Sequence, residues 1–219
     1  MIEIRSILVL FAFLGVIKCQ MEPNIVGGKR AKIQNFPHSA FLNVMCIDVI
    51  TGFDSPWICG ASIVNEKITL TAAHCLAGCA SESEMFMTVG HAHKYRGAIS
   101  SVYSYVIHEK YRETRTAFDI GLIKLTTRLK FHANVKRISL MKDPPYNEKA
   151  QIAGWGIINE LEDTEADHLY YTDQYVWKMK ECRQKIKLLA PGTICASNGD
   201  ADSYSSRSTS SSYGESTVL

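Results

Sequence analysis

No block of one charge sign occurs in this 219-residue chain: 24 Lys and Arg stand against 22 Asp and Glu, a formal net charge of +2 spread along its length. That pattern offers no footprint for a nucleic acid or an anionic membrane surface. Long apolar segments are scarce as well. The one uninterrupted run, Ile7 to Ile17, has eleven residues, against the roughly 20 that cross a bilayer as a helix. Between Met85 and His108 there is no Asp or Glu, which argues against a hard-cation loop in that stretch. No Asn-x-Ser/Thr acceptor site and no internal repeat is present. Helical periodicity is confined to a turn at Ala72 to Leu76 and the stretch Lys178 to Lys185.

What is present begins with that short apolar run. Arg5 precedes it and Lys18-Cys19-Gln20 follow, an arrangement that predicts a secretory signal peptide over residues 1–19, with a buried strand or an N-terminal anchor as the alternative. Removing it leaves about 200 residues, enough for one compact domain or two small fused barrels. Of seven cysteines, at 19, 46, 59, 75, 79, 182 and 195, it would also remove one. The even number left, in an oxidising compartment, reads as disulfides.

Short β-rich runs follow at Ser39–Ile47, Ser62–Leu70, Met85–Val89, Ser101–Ile107, Ile120–Leu125, Ala150–Ala153 and Leu169–Val176. Gly, Pro, Asn and charged clusters separate them, as in sandwiches and barrels, so the predicted class is all-β. Lys142 to Asn147, with Pro144-Pro145, reads as a linker between halves. From Ser203 to Ser212 seven of ten residues are serine. Such a tract cannot bury enough apolar surface to offset its ordering entropy, so residues 203–219 are expected to be a disordered tail.

Two short contexts carry chemistry. His74 lies in Leu70-Thr71-Ala72-Ala73-His74-Cys75, fifteen residues after Cys59, and Asp119 opens the apolar run Ile120-Gly121-Leu122-Ile123 after Phe118. Together with Ile25-Val26-Gly27-Gly28, Cys59-Gly60-Ala61-Ser62, Ala153-Gly154-Trp155-Gly156 and Thr193-Ile194-Cys195, they resemble the trypsin/chymotrypsin family of secreted serine endopeptidases over residues 25–202. The resemblance implies peptide-bond hydrolysis and a double six-stranded β-barrel, the second barrel incomplete here at its C-terminal end. His74 would be the general base and then acid, Asp119 would orient it, and a downstream serine would attack the scissile carbonyl.

It also implies a short propeptide at 20–24 and Ile25 as the activation N-terminus, although Asn24 stands where zymogens cut by trypsin carry Arg or Lys. Asp202, seven residues after Cys195, falls at the base of the primary specificity pocket and would favour cleavage after Arg or Lys through a charge-assisted pair. Cys59 would pair with Cys75, and Cys182 with Cys195. Cys46 and Cys79 are then left over, expected as a third bridge from an early strand to the loop after His74, or else as two free thiols or part of a rearranged set.

The family's most specific segment, Gly-Asp-Ser-Gly-Gly-Pro, is where the resemblance stops. The sequence reads Tyr204-Ser205-Ser206-Arg207-Ser208-Thr209-Ser210-Ser211. Ser208 falls on the nucleophile position by ungapped count and is a weak stand-in within a serine tract. Ser206 replaces the oxyanion-hole glycine, and Arg207 replaces the aspartate that pairs with the α-amino group of Ile25. Losing such a serine alone costs on the order of a millionfold in turnover, about 8 kcal/mol. The chain as written is therefore expected to be inactive, truncated before the nucleophile motif, with the second barrel incomplete at its C-terminal end.

The working expectation is a secreted, monomeric trypsin-like endopeptidase whose end is cut short or frame-shifted. If active, it would take protein or peptide substrates and meet serine protease inhibitors. A secreted non-catalytic homologue acting as a binding or decoy module is the alternative, and a fragment completed by another chain is a third. No cofactor and no metal is expected; His91-Ala92-His93 resembles a metal pair but reads as a solvated loop.

Overall fold

The computed structural model describes residues 28–112, 114, 117–159, 164–187 and 189–197. The expected signal peptide, the propeptide, Ile25, Asp202, Ser208 and the serine-rich tail lie outside the described residues. In chain order the strands are β1 (Lys29–Arg30), β2 (Ser39–Ile47), β3 (Asp54–Ile63), β4 (Ile68–Thr71), β5 (Glu84–Val89), β6 (Ala98–Ile107), β7 (Gly121–Leu125), β8 (Lys149–Gly154), β9 (Ile157–Asn159), β10 (Thr164–Glu165), β11 (Tyr170–Val176) and β12 (Ala196–Ser197). A 3₁₀ turn spans Ala73–Cys75, and the single α-helix among the described residues, α1, spans Met179–Lys185.

The first half closes into a barrel in the order β2-β3-β4-β7-β6-β5. Strand β2 shows why. Its even positions Ala40, Leu42, Val44 and Cys46 join Met85, Met87 and Val89 of β5 and Ile123 and Leu125 of β7 in one buried cluster. These are alternating residues of each strand, the period-2 rule of a pleated sheet with one face inward. Phe41, at an odd position, points out of the barrel into a second cluster with Ile33, Phe36, Trp155 and Leu169. Strand β2 is thus covered on both faces at its Ser39–Phe41 end, while Met45 further along the outer face is 48% exposed.

The second half centres on β11, which pairs with β8 along one edge and with β1 and β12 at the two ends of the other. The hairpin β9–β10 stands apart from this sheet. Among the described residues this half is an open sheet, while the first is a closed barrel. The chain between β7 and β8 is longer than the expected linker. It is tied back to the first half by backbone hydrogen bonds from Lys136 N–H to the Pro37 carbonyl (2.9 Å) and from Ile138 N–H to the Ile63 carbonyl (2.8 Å).

One expected strand is corrected. Ser62–Leu70 is two strands, because the Asn65 side-chain oxygen accepts the N–H groups of Lys67 (2.8 Å) and Ile68 (2.9 Å) and turns the chain between them. This is the local competition with a ladder that Asn side chains offer. Strand β3 also begins earlier than expected, at Asp54, and passes through Pro56. There β3 is paired with β2, and β4 joins only at Ser62 and Ile63, so the proline lies in the less fully laddered part of the strand.

Candidate active site

His74 lies in the 3₁₀ turn that follows β4. Three contacts fix that turn. Cys75 is disulfide-bonded to Cys59 of β3, the Trp57 indole N–H donates to the Cys75 carbonyl at 3.0 Å, and Leu76 is 1% exposed in the barrel core. Asp119 sits just before β7, whose first residue Gly121 pairs with Thr71 at the end of β4. The ladder between β4 and β7 therefore carries the two residues to the same end of the barrel. A side chain at Gly121 would come within 2.7 Å of Leu76 Cδ1, which shows how closely β7 approaches the histidine's turn.

Both carboxylate oxygens of Asp119 are used on His74. Oδ1 accepts the His74 backbone N–H at 2.8 Å, and Oδ2 lies 2.7 Å from Nδ1. An ionised carboxylate only accepts, so Nδ1 carries the proton. That leaves Nε2 as the ring nitrogen free to take up and return a proton. The exposures fit this division, 2% for the Asp119 side chain and 37% for that of His74. Burial by itself would raise the Asp119 carboxyl. The hydrogen bond and electrostatic attraction to the His74 ring, with backbone N–H groups of His74 and Ala73, outweigh burial and hold it below its ordinary value.

The backbone at Asp119 is unusual. Phe118, just before it, has φ 56°, in the left-handed region, a conformation that costs a residue with a Cβ roughly 1–2 kcal/mol. The Ile120 N–H donates to the Phe118 carbonyl at 2.8 Å, a three-residue turn centred on the aspartate. Nothing in the sequence signals this geometry, since an aromatic residue is a poor marker for left-handed backbone.

The other expected site features are placed as follows. The structure forms all three disulfides, Cys46–Cys79, Cys59–Cys75 and Cys182–Cys195. Cys59, His74 and Cys75 offer ligand atoms within 4.8 Å of one another, but the two sulfurs are bonded to each other and have no thiolate to give a metal. His91 and His93 each accept a backbone N–H through Nδ1, from His93 and Tyr95 respectively. The ring of His93 lies 5.0 Å from that of His168 across an isolated antiparallel bridge. That bridge joins the two halves, a contact not anticipated for residues read as a solvated loop.

Comparison with known proteins bears on the family and the fold. The family model "Trypsin" matches residues 25–208. A chymotrypsin from Phaedon cochleariae is 30% identical over 182 residues, covering 79% of this chain and 62% of its own length. Hypodermin-B from Hypoderma lineatum is 32% identical over 183 residues, covering 81% of this chain and 68% of its own. The chain thus spans less than two thirds of the Phaedon relative it matches. Among solved structures, HL collagenase shares the fold at TM-score 0.69 and 26% identity, covering 80% of this chain and 74% of that one. A scabies mite inactivated protease paralogue, at TM-score 0.69 and 21% identity over 80% of this chain and 75% of that one, is similar in fold alone.

Proposed function

The chain belongs to the trypsin-like serine protease family, and on that premise we propose that His74 and Asp119 are the base half of a peptide-bond-hydrolysing site. The observation that carries this reading is the paired contact of Asp119 with the ring and backbone N–H of His74. It fixes the tautomer, frees Nε2 and stabilises the imidazolium that forms when the nucleophile gives up its proton. Substrates would be proteins or peptides. A preference for Arg or Lys rests on the position of Asp202 in the sequence, and an extracellular setting rests on the signal-like N-terminal segment together with three disulfides.

We further propose that the chain as written does not hydrolyse peptides. Its residues 204–211 contain neither the glycine of an oxyanion hole nor the Gly-Asp-Ser-Gly-Gly-Pro segment. The base half would then be intact and lack its nucleophile. The test is a chimera in which residues 203–219 are replaced by the corresponding C-terminal part of Hypodermin-B. Hydrolysis of Arg- or Lys-containing peptides that disappears on His74→Ala is the expected result. A folded chimera without activity, or one indifferent to His74→Ala, overturns the reading.

A further inference from the structure

We propose that Phe118, through its stack on His108, is a positioning residue for Asp119, holding the backbone turn that presents both carboxylate oxygens to His74. The inference rests on the reading of His74 and Asp119 as a base pair and adds to it the element that sets their geometry.

Five observations meet at this point. Phe118 occupies left-handed backbone without being glycine, asparagine or aspartate, so something outside its own preferences keeps it there. Its ring lies parallel to that of His108, with centroids 5.0 Å apart and planes 11° from parallel. The His108 ring is itself pinned, because its Nδ1 accepts the Lys110 backbone N–H at 3.1 Å. The Lys110 ammonium also stands 5.9 Å from the Phe118 ring centroid, over its face. The backbone closes the arrangement, since the His108 N–H donates to the Ile120 carbonyl at 3.0 Å and the Ile120 N–H donates to the Phe118 carbonyl at 2.8 Å.

Asp119 is therefore the middle residue of a tight turn clamped from both sides. His108 immediately follows β6, and β6 pairs with β7 along its length. The clamp thus transmits the rigidity of the barrel to the carboxylate. If the ring stack is lost, left-handed Phe118 can relax towards ordinary backbone. The turn at Asp119 then opens, and the two oxygens can no longer meet the ring and backbone N–H of His74 at once. None of these groups touches the reacting atoms, so the role is one of aim.

The experiment follows the proton shared between His74 Nδ1 and Asp119 by nuclear magnetic resonance in the disulfide-intact full chain, with thermal melting recorded for each variant. Wild type should show a slowly exchanging ring-proton resonance that Asp119→Asn removes. Phe118→Ala and His108→Ala should each lose or broaden it, while Phe118→Tyr, which keeps the ring, retains it. The resonance persisting unchanged in Phe118→Ala or His108→Ala, with only the melting temperature altered, overturns the positioning role and leaves the base pair standing. A wild type without any Asp119-dependent resonance overturns the base-pair reading itself. If Phe118→Ala fails to fold, His108→Ala and Phe118→Tyr decide the matter, because they act on the same stack from the other ring and by conservative replacement.

Discussion

Asp119 is almost fully buried yet remains ionised, because its hydrogen bonds to His74 favour the charged form more than burial disfavours it. Its folded-state pKa lies below the ordinary 3.8. The stability it contributes is therefore fully present above the unfolded value and is lost as pH falls through the folded one. Asp119→Asn should destabilise the chain at neutral pH by about 1.5–3 kcal/mol, the range for hydrogen bonds to a charged group. The gap from wild type should close on acidification below the carboxylate range, as read by urea unfolding across pH. A gap that stays constant down to strongly acid pH contradicts the assignment. His74 and Asp119 were legible in the sequence because each sits in a short context of specific neighbours. Phe118 was not, since its role arises from backbone conformation and from a ring contributed by another strand's end.

Among the elements, the hairpin between β2 and β3 is held by a covalent tie. Cys46 of β2 is bonded to Cys79, 33 residues on. The Val49 N–H donates to the Gly78 carbonyl at 2.9 Å, and the Ala80 N–H to the Ile47 carbonyl at 2.8 Å. The loop after His74 is thereby fastened to β2. On the chain-entropy model, closing a loop of this length stabilises by about 3–4 kcal/mol. The double variant Cys46→Ala/Cys79→Ala is expected to lose most of that in denaturant unfolding while retaining far-ultraviolet β signal. An unchanged midpoint would mean that the bridge is not formed in the protein.

Strand positions were mostly legible because alternating apolar residues in short runs leave few alternatives, as in β2, whose predicted and observed bounds coincide. The split of Ser62–Leu70 was not, because it depends on one Asn65 side chain turning back on its own backbone. Pro56 in turn hid the start of β3, since its tolerance there depends on pairing that the sequence does not display.

For the molecule as a whole, the decisive surface is the one where the barrel meets the second sheet. Phe41 from β2, 1% exposed, meets Trp155 edge-on at 5.7 Å, and the Trp155 indole N–H donates to the Ala92 carbonyl at 2.8 Å. Lys94, 5% exposed, adds ion pairs to Glu165 at 3.2 Å and Asp167 at 3.3 Å. Phe41→Ala should cost about 3–5 kcal/mol, as for other large buried aromatics, and calorimetry should show whether the halves still melt together. A cost under 1 kcal/mol would mean that Phe41 does not join them.

The all-β class and the division into halves could be read from turn spacing and the Pro144-Pro145 segment. The contact between halves could not, because it depends on which face of β2 looks outward and on histidines brought together across a bridge. On the proposed reading, His74 and Asp119 form an intact base pair and the serine-rich residues 203–212 supply no working nucleophile. The most direct test of that reading is the rate at which the purified protein, produced by secretion from the full 219-residue sequence, hydrolyses fluorogenic Arg- and Lys-peptides beside His74→Ala. Equal rates, both at the buffer background, are expected. Hydrolysis that His74→Ala abolishes would overturn the proposed inactivity and mean that the chain supplies a working nucleophile of its own.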